Sequence, residues 1–407
     1  MIFRVFLALY GVAHVFIWHA LAVGLALSPS GSAYLGGALL GLGLTPFFAR
    51  RMDRRGLKRV GRVFSWVGYT WAGLVLLFTM ARLASDLLLG VSFVLAGVPS
   101  HAEARVLSLT LSLSLTGLLA IYAFFERSRI RVETIDIPTA KDIGASTALC
   151  IAQISDVHIG TMNGRRRIQT LLKRLKEHDP DVLVSTGDLI DSPAGLAVPV
   201  TEALSAFKPR LGKFAVVGNH ECYAGLASAL PFMERCGFVV LRNTAVVLPG
   251  LRLVGVDDPV AGKPGDATRS EARVLRGLSD DMFTVLLKHR PDVLPGSEAR
   301  FDLQLSGHTH KGQIFPFGFL TRLYYPAHAG LFRLARASYL YVSRGTGAWG
   351  PPFRLLAPPE ITLFRVGPGF PDPGGQTAPT LPSIEGVGER VPAQATPTVT
   401  AFSDRRS

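Results

Sequence analysis

Hydrophobic positions follow two different patterns along the chain. Through residues 1–125 apolar side chains run on almost unbroken, whereas from 129 to 366 short β-type runs alternate with amphipathic ones. The first pattern predicts helices without a polar face, as lipid-spanning segments have; the second predicts a layered α/β domain.

Residues 2–27 suffice to cross a hydrocarbon core of ~30 Å as a helix, with Arg4 able to snorkel at its start. Three further spans are expected at 33–49, 63–81 and 106–125. The second is Gly-rich, as close helix packing in lipid favours, and Trp66, Tyr69 and Trp71 near one end of the third suit an interfacial belt. A cleavable signal peptide would account only for the first run, so that segment is read as retained. The stretch 82–100 fits no simple scheme, because Arg82 and Asp86 interrupt it and 87–98 is short for a straight crossing. A re-entrant piece, an interfacial piece and a fifth segment fused to the third all remain open. His14 and His19, five residues apart, do not share a helical face and are read as packing or interfacial residues.

In the second half, strands are expected near 129–137 and at 149–155, 181–186, 213–217, 251–256, 283–288, 302–305, 339–343 and 360–366. Helices are expected at 164–178, 198–207, 226–236 and 268–278, with Asp179-Pro180 stopping the first and Gly237 closing the third. Residues 367–407 are rich in Pro, Gly, Thr and Ser without periodicity and read as a disordered tail. The expected domains are therefore a membrane helical domain (1–127), an α/β domain (128–366) and the tail (367–407).

Charge adds the topology. The net charge of +13 could suggest nucleic acid, yet much of it lies beside the apolar runs. Arg50, Arg51, Arg54, Arg55, Lys58, Arg59 and Arg62 form one basic loop, and Arg127, Arg129 and Arg131 a second group. Four spans put both groups on one side, which the positive-inside rule makes cytoplasmic, whereas five would separate them. The expectation is a multi-pass integral membrane protein with its globular domain in the cytoplasm, membrane lipids as partners and no nucleic acid. Cys150, Cys222 and Cys236 are too few and scattered for a disulfide framework or a zinc knuckle.

The chemistry sits at the ends of the expected strands. Asp156-Val157-His158, Gly187-Asp188, Gly218-Asn219-His220-Glu221, His289 and Gly307-His308-Thr309-His310 hold five of the ten histidines of the chain. Carboxylate, imidazole and amide in this mixture suit two hard or borderline divalent ions. Each motif alone is weak; their joint occurrence after strands is not, since such ends gather at one sheet edge.

In this order the motifs resemble those of the calcineurin-like metallophosphoesterases: D-x-H, G-D, G-N-H-[DE], a lone His and G-H-x-H. The resemblance covers about residues 129–366. Ser306–Gln313, Tyr341–Gly347 and Pro359-Glu360-Ile361 are closest to the membrane-associated branch, although Lys311 stands where that branch commonly has a small residue. The resemblance implies layered mixed β-sheets flanked by helices and a metal-dependent phosphoesterase with two divalent ions, Mn, Fe or Zn. It implies that Asp156, His158 and His310 hold one ion, that Asn219, His289 and His308 hold the other, and that Asp188 bridges them. His220 would stabilise the transition state or protonate the leaving oxygen, and Glu221 would orient its neighbours. Lys288, Arg290, Lys311 and Arg344 are candidates for contacting substrate phosphate, beside their reading as ordinary surface charge. The expected substrate is a phosphorylated, lipid-linked molecule cleaved at a phosphoester or diphosphate bond. An anchored phosphodiesterase for soluble nucleotides, and a membrane sensor or transporter with a metal-binding regulatory domain, are the alternatives.

Overall fold

A computed structural model of the chain describes residues 2–96, 101–144, 148–191, 198–334, 338–377 and 399–401. It divides into two compact units, Met1–Ser128 with Gly350–Leu355, and Arg129–Trp349 with Leu356–Ser407.

The first unit consists of α1 (Ile2–Gly24), α2 (Pro29–Arg54), α3 (Lys58–Ala96) and α4 (His101–Ser128). Each holds a stretch long and apolar enough to cross a membrane. One departure from the sequence reading is α3, which continues through Arg82 and Asp86 as a single helix of 39 residues. The two charges lie one turn apart and pair at 2.8 Å, and Ser108 of α4 donates to the second oxygen of Asp86 at 2.6 Å. A charge so compensated no longer has to interrupt an apolar helix. His14 is satisfied at both ring nitrogens. Trp71 donates to its Nε2 at 2.9 Å, which leaves Nδ1 to donate to the Tyr10 carbonyl at 2.8 Å.

The second unit is built on two sheets. The first has the order β1 (Arg131–Pro138), β12 (Glu360–Gly367), β2 (Leu149–Ile154), β3 (Val182–Ser185), β4 (Lys213–Ala215) and β5 (Val239–Val240). The second runs β13 (Gln376–Thr377), β10 (Gly330–Arg333), β11 (Tyr339–Val342), β9 (Leu303–Ser306), β8 (Thr284–Lys288), β7 (Leu251–Val256), β6 (Thr244–Leu248) and β14 (Val399–Ala401). Alternation along the strands sorts the core. Leu149, Ile151, Val182 and Val184 of the first sheet meet Val285, Leu287, Leu303, Leu305 and Tyr341 of the second in one buried cluster. The intervening residues face outward: Ala152, Ile154 and Leu183 pack with α5 (Arg165–His178), α6 (Val198–Ser205) and α8 (Leu226–Arg235). Leu286, Leu340 and Val342 pack with Val274 and Leu275 of α9 (Asp266–Arg276). The strands buried on both faces are the ones that read as near-continuous apolar runs.

The tail differs from the reading as wholly disordered. Gln376–Thr377 pairs with β10 and Val399–Ala401 with β6, both at outer strands whose free backbone groups accept a further strand. The rest of that expectation, at 378–398 and 402–407, lies outside the described residues.

Candidate metal centre

β2, β3 and β4 are parallel neighbours in the first sheet, as are β8, β9 and β11 in the second. Their C-terminal ends therefore emerge together, and the motif residues follow directly: Asp156 and His158 after β2, Asp188 after β3, Asn219 and His220 after β4, His289 after β8, His308 and His310 after β9. The loops are sharply bent. Asp156, His158, Asp188, His308 and His310 all have left-handed backbones, with φ of 51°, 50°, 51°, 72° and 50°. This conformation costs a non-glycine residue roughly 1–2 kcal/mol, and such outliers concentrate at functional sites. The glycines beside them answer to close approach. A Cβ at Gly218 would collide with the Asp188 carboxylate, and one at Gly307 with that of Asp156.

Among the described residues three clusters of ligand atoms result, two of them formed by the motif residues named above and the third by His158, Asp191 and His220. Asp156, His158 and His310 bring one ligand atom each within 4.8 Å of one another, and so do Asp188, His289 and His308. In the first, His158 Nε2 and His310 Nε2 face each other at 3.0 Å, with His310 Nε2 also 3.2 Å from Asp156 Oδ1. In the second, His289 Nε2 lies 3.2 Å from Asp188 Oδ2, 3.1 Å from Asn219 Oδ1 and 3.2 Å from His308 Nδ1. The other nitrogen of His289 points at the Thr186 carbonyl at 2.8 Å; donating there frees Nε2 to act as a ligand. Asp188 Oδ2 is also 3.9 Å from His158 Nε2, so one carboxylate oxygen addresses both clusters.

The donor chemistry fits cations. Asp156 and Asp188 are buried, and neither makes an ion pair with Lys or Arg among the described residues. Burial alone would raise their pKa values, but neighbouring histidines, His310 for Asp156 and His289 for Asp188, hold both below the usual carboxylate range. Burial pushes His158 and His308 down to about 3, helped by His220 and His289 respectively, so both are neutral with lone pairs to offer. His289 goes the other way, to about 10: burial lowers it, and the charge of Asp188 outweighs burial. Negative charge held out of water and offset only by imidazoles is what a pair of divalent ions would neutralise.

Glu221 supports this arrangement from behind. Fully buried, it accepts backbone N–H bonds from Asp188 (3.0 Å), Ile190 (2.9 Å) and Gly218 (2.8 Å), tying two of the ligand loops together. His220 belongs to neither cluster of buried ligands; it is partly exposed and lies with its Nε2 4.0 Å from Asp188 Oδ2. Among the candidate phosphate contacts, Lys288 pairs with buried Glu271 and Arg290 with buried Asp258, each at 2.8 Å. Arg344 pairs with Glu133 at 2.6 Å and with buried Glu360. Lys311 alone of the four makes no ion pair among the described residues.

The motifs did not point to Asp191, whose Oδ1 lies 2.9 Å from His220 Nδ1. Its sequence signal was its position three residues after Asp188, at the end of the same loop. Nor did they reveal the aromatic surround, in which Tyr223 and Trp349 flank His220 and Tyr325 flanks His308, with ring centroids 5.6, 6.1 and 5.3 Å apart.

The calcineurin-like phosphoesterase family model matches residues 150–312. A metallophosphoesterase of Aquifex aeolicus (strain VF5) is 36% identical over 252 residues, 61% of this chain and 96% of the relative. A transmembrane protein with metallophosphoesterase domain from Danio rerio is 33% identical over 267 residues, 62% of this chain and 61% of the relative. A metallophosphoesterase of Helicobacter pylori (strain ATCC 700392 / 26695) is 33% identical over 222 residues, 54% of this chain and 60% of the relative. The family match falls on the unit whose strand ends gather the carboxylates and imidazoles, and this chain belongs to the calcineurin-like metallophosphoesterases, metal-dependent hydrolases of phosphoester bonds.

Proposed function

We propose that the chain is a membrane-anchored dimetal phosphohydrolase that cleaves a phosphoester or diphosphate bond of a substrate held at the lipid surface. In this reading Asp156, His158 and His310 hold one divalent ion, Asn219, His289 and His308 hold the second, and Asp188 bridges them. The observation that carries the reading is the position of Asp188 Oδ2, 3.2 Å from His289 Nε2 in one cluster and 3.9 Å from His158 Nε2 in the other. Oxygen and imidazole donors in this mixture suit Mn, Fe or Zn. When bound, such a pair supplies an activated water and a clamp on the phosphoryl oxygens.

The residues of the chain do the rest. His220 donates from Nε2 toward the leaving oxygen. Burial lowers its pKa, but the Asp191 hydrogen bond and the Asp188 charge outweigh burial and raise it, which keeps the ring a proton donor. Asp191 fixes the ring through Nδ1, and Glu221 holds the Asp188 loop in place. Lys311, without a carboxylate partner among the described residues, is the cation best able to meet a substrate phosphate.

The lipid part of the reading rests on the tether. α4 ends at Ser128 and β1 begins at Arg131, so two residues join them. Such a tether to lipid-spanning helices raises the effective concentration of a lipid substrate but not of a diffusing one. The test is a hydrolysis screen of the detergent-solubilised full chain with Mn²⁺, offering phosphorylated and diphosphate lipids beside nucleotide diesters. Preferred turnover of the lipids is expected. Preference for nucleotide diesters would make it an anchored soluble-substrate phosphodiesterase, and no turnover of either would favour a metal-binding sensor.

A further inference from the structure

Past the second pair of metal-site histidines, the chain makes a helix that buries nothing. α10 (Phe317–Tyr324) reads FGFLTRLY, and none of its residues is buried. Phe319, Leu320, Leu323 and Tyr324 are 64%, 60%, 81% and 71% exposed, and their spacing sets them on one face. Phe315, just ahead of the helix, extends this face by an edge contact to Phe319 at 5.7 Å between ring centroids. Water does not favour such a helix: an apolar face this exposed marks a binding surface.

We propose that α10, with Phe315 and Trp349, inserts into the headgroup layer of an anionic phospholipid bilayer. The occupant is argued from three observations. Phe, Leu, Tyr and Trp beside Arg322 are the side chains of helices that lie in a membrane interface. Residues 303–359 contain no Asp or Glu at all, and Lys311 and Arg322 make no ion pair among the described residues, so the surroundings suit anionic headgroups. Finally, the chain runs from this surface directly into the segment that belongs to the apolar helices. Gln313, four residues before α10, is joined to Trp349 by two hydrogen bonds, Nε2 to the Trp349 carbonyl at 2.9 Å and the Trp349 N–H to Oε1 at 3.1 Å. Trp349 is half exposed, and the next residues, Gly350–Leu355, belong to the unit of apolar helices, with the Arg354 N–H donating to the Ala123 carbonyl of α4 at 3.0 Å.

The insertion deepens the lipid-surface reading. Tyr325 closes α10 and has its ring 5.3 Å from that of His308, so a chain seated along this face would end beside the metal centre.

The experiment uses the full-length protein in vesicles of phosphatidylcholine and phosphatidylglycerol that carry a phospholipid with a diazirine near its headgroup. After photolysis, mass spectrometry maps the adducts. Segment 313–325 should be labelled roughly tenfold above α5, whose polar face meets water. A Phe319→Ser/Leu320→Ser/Leu323→Ser chain should fall to the α5 level with an unchanged unfolding temperature, since the replaced side chains are exposed. The readout needs no turnover, so Asp188→Asn protein should label like wild type whether or not the dimetal reading holds. Labelling of 313–325 no stronger than α5, or cross-links joining this segment between two copies, would overturn the proposal.

Discussion

Asp191 holds His220 by a hydrogen bond of 2.9 Å from the ring Nδ1, which turns Nε2 toward the Asp188 carboxylate. Burial would raise the pKa of Asp191, but the His220 hydrogen bond and the charges of His158 and His220 hold it below the usual range. An ionised Asp191 therefore keeps His220 protonated at its outer nitrogen to a higher pH than a free histidine. In the proposed mechanism this pairing gives His220 a fixed tautomer from which to donate a proton.

Replacing Asp191 by Asn should lower kcat by about 10- to 100-fold with both metals retained. The sign of the pH effect follows from the raised pKa of His220. Once its partner is neutral, His220 loses its proton at lower pH, and the alkaline limb of kcat/KM moves down toward the ordinary histidine value of 6.5. His220→Ala should keep the metals, cost roughly 100-fold or more and abolish that limb, and the double variant should be no worse than His220→Ala alone. A pH–rate profile that Asp191→Asn leaves unmoved would show that the pair does not act as a unit.

Asp188→Asn should abolish hydrolysis and lower bound metal, because one carboxylate oxygen addresses both clusters. An amide keeps the shape and the backbone bond from His220 but removes the charge that the two ions would share in the proposed scheme. Metal analysis of the purified full chain is the check, and two ions still bound with full turnover would sink the bridging assignment.

Glu221→Ala should destabilise the catalytic unit even though Glu221 is no ligand in this scheme. Three buried N–H groups lose their acceptor, at about 1–3 kcal/mol each as an upper bound. Glu221→Gln, which keeps one carbonyl acceptor, should lose less. Thermal unfolding of both variants decides it; equal midpoints would mean that the loops hold without this carboxylate.

These cases show which features are legible in the sequence. The buried parallel strands announce themselves as apolar runs and the candidate ligands follow at their ends, so the sequence alone locates Asp156, Asp188 and His289. Asp191 is not legible in this way, because its role depends on a loop bend that brings it to His220 from 29 residues away. α10 escapes for the opposite reason: an exposed apolar helix violates the pattern that identifies a helix by its buried stripe. Arg82 and Asp86 mislead because each is costly in an apolar helix alone and tolerable as a pair, which spacing alone does not reveal.

The basic clusters after the second and fourth apolar runs lead us to expect the loop near residue 55 and the catalytic unit on the same, cytoplasmic, side. Single cysteines at Arg55 and at the exposed Lys173 of α5 should react with an impermeant maleimide only after lysis. The native thiols give little background: burial pushes Cys150 and Cys222 up to about 11 and Cys236 up to about 12, so they stay protonated at the labelling pH. Labelling of one site in intact cells and not the other would require an odd number of crossings between them.

Anchoring should matter for lipid substrates and not for soluble ones. Reconstituted in liposomes, the full chain should turn over a phosphorylated lipid faster than it does in detergent micelles that dilute the lipid. Its rate on bis-p-nitrophenyl phosphate should be the same in both. The ratio follows from the proposed anchoring, since a catalytic unit joined to lipid-spanning helices through the two residues between α4 and β1 meets molecules of the lipid surface more often. Diluting the lipid substrate with inert phospholipid at constant bulk concentration should then slow the reaction in proportion to its surface density. A rate that follows bulk concentration instead would mean that substrate arrives from water, and that the four apolar helices serve some end other than presenting the active site to lipid.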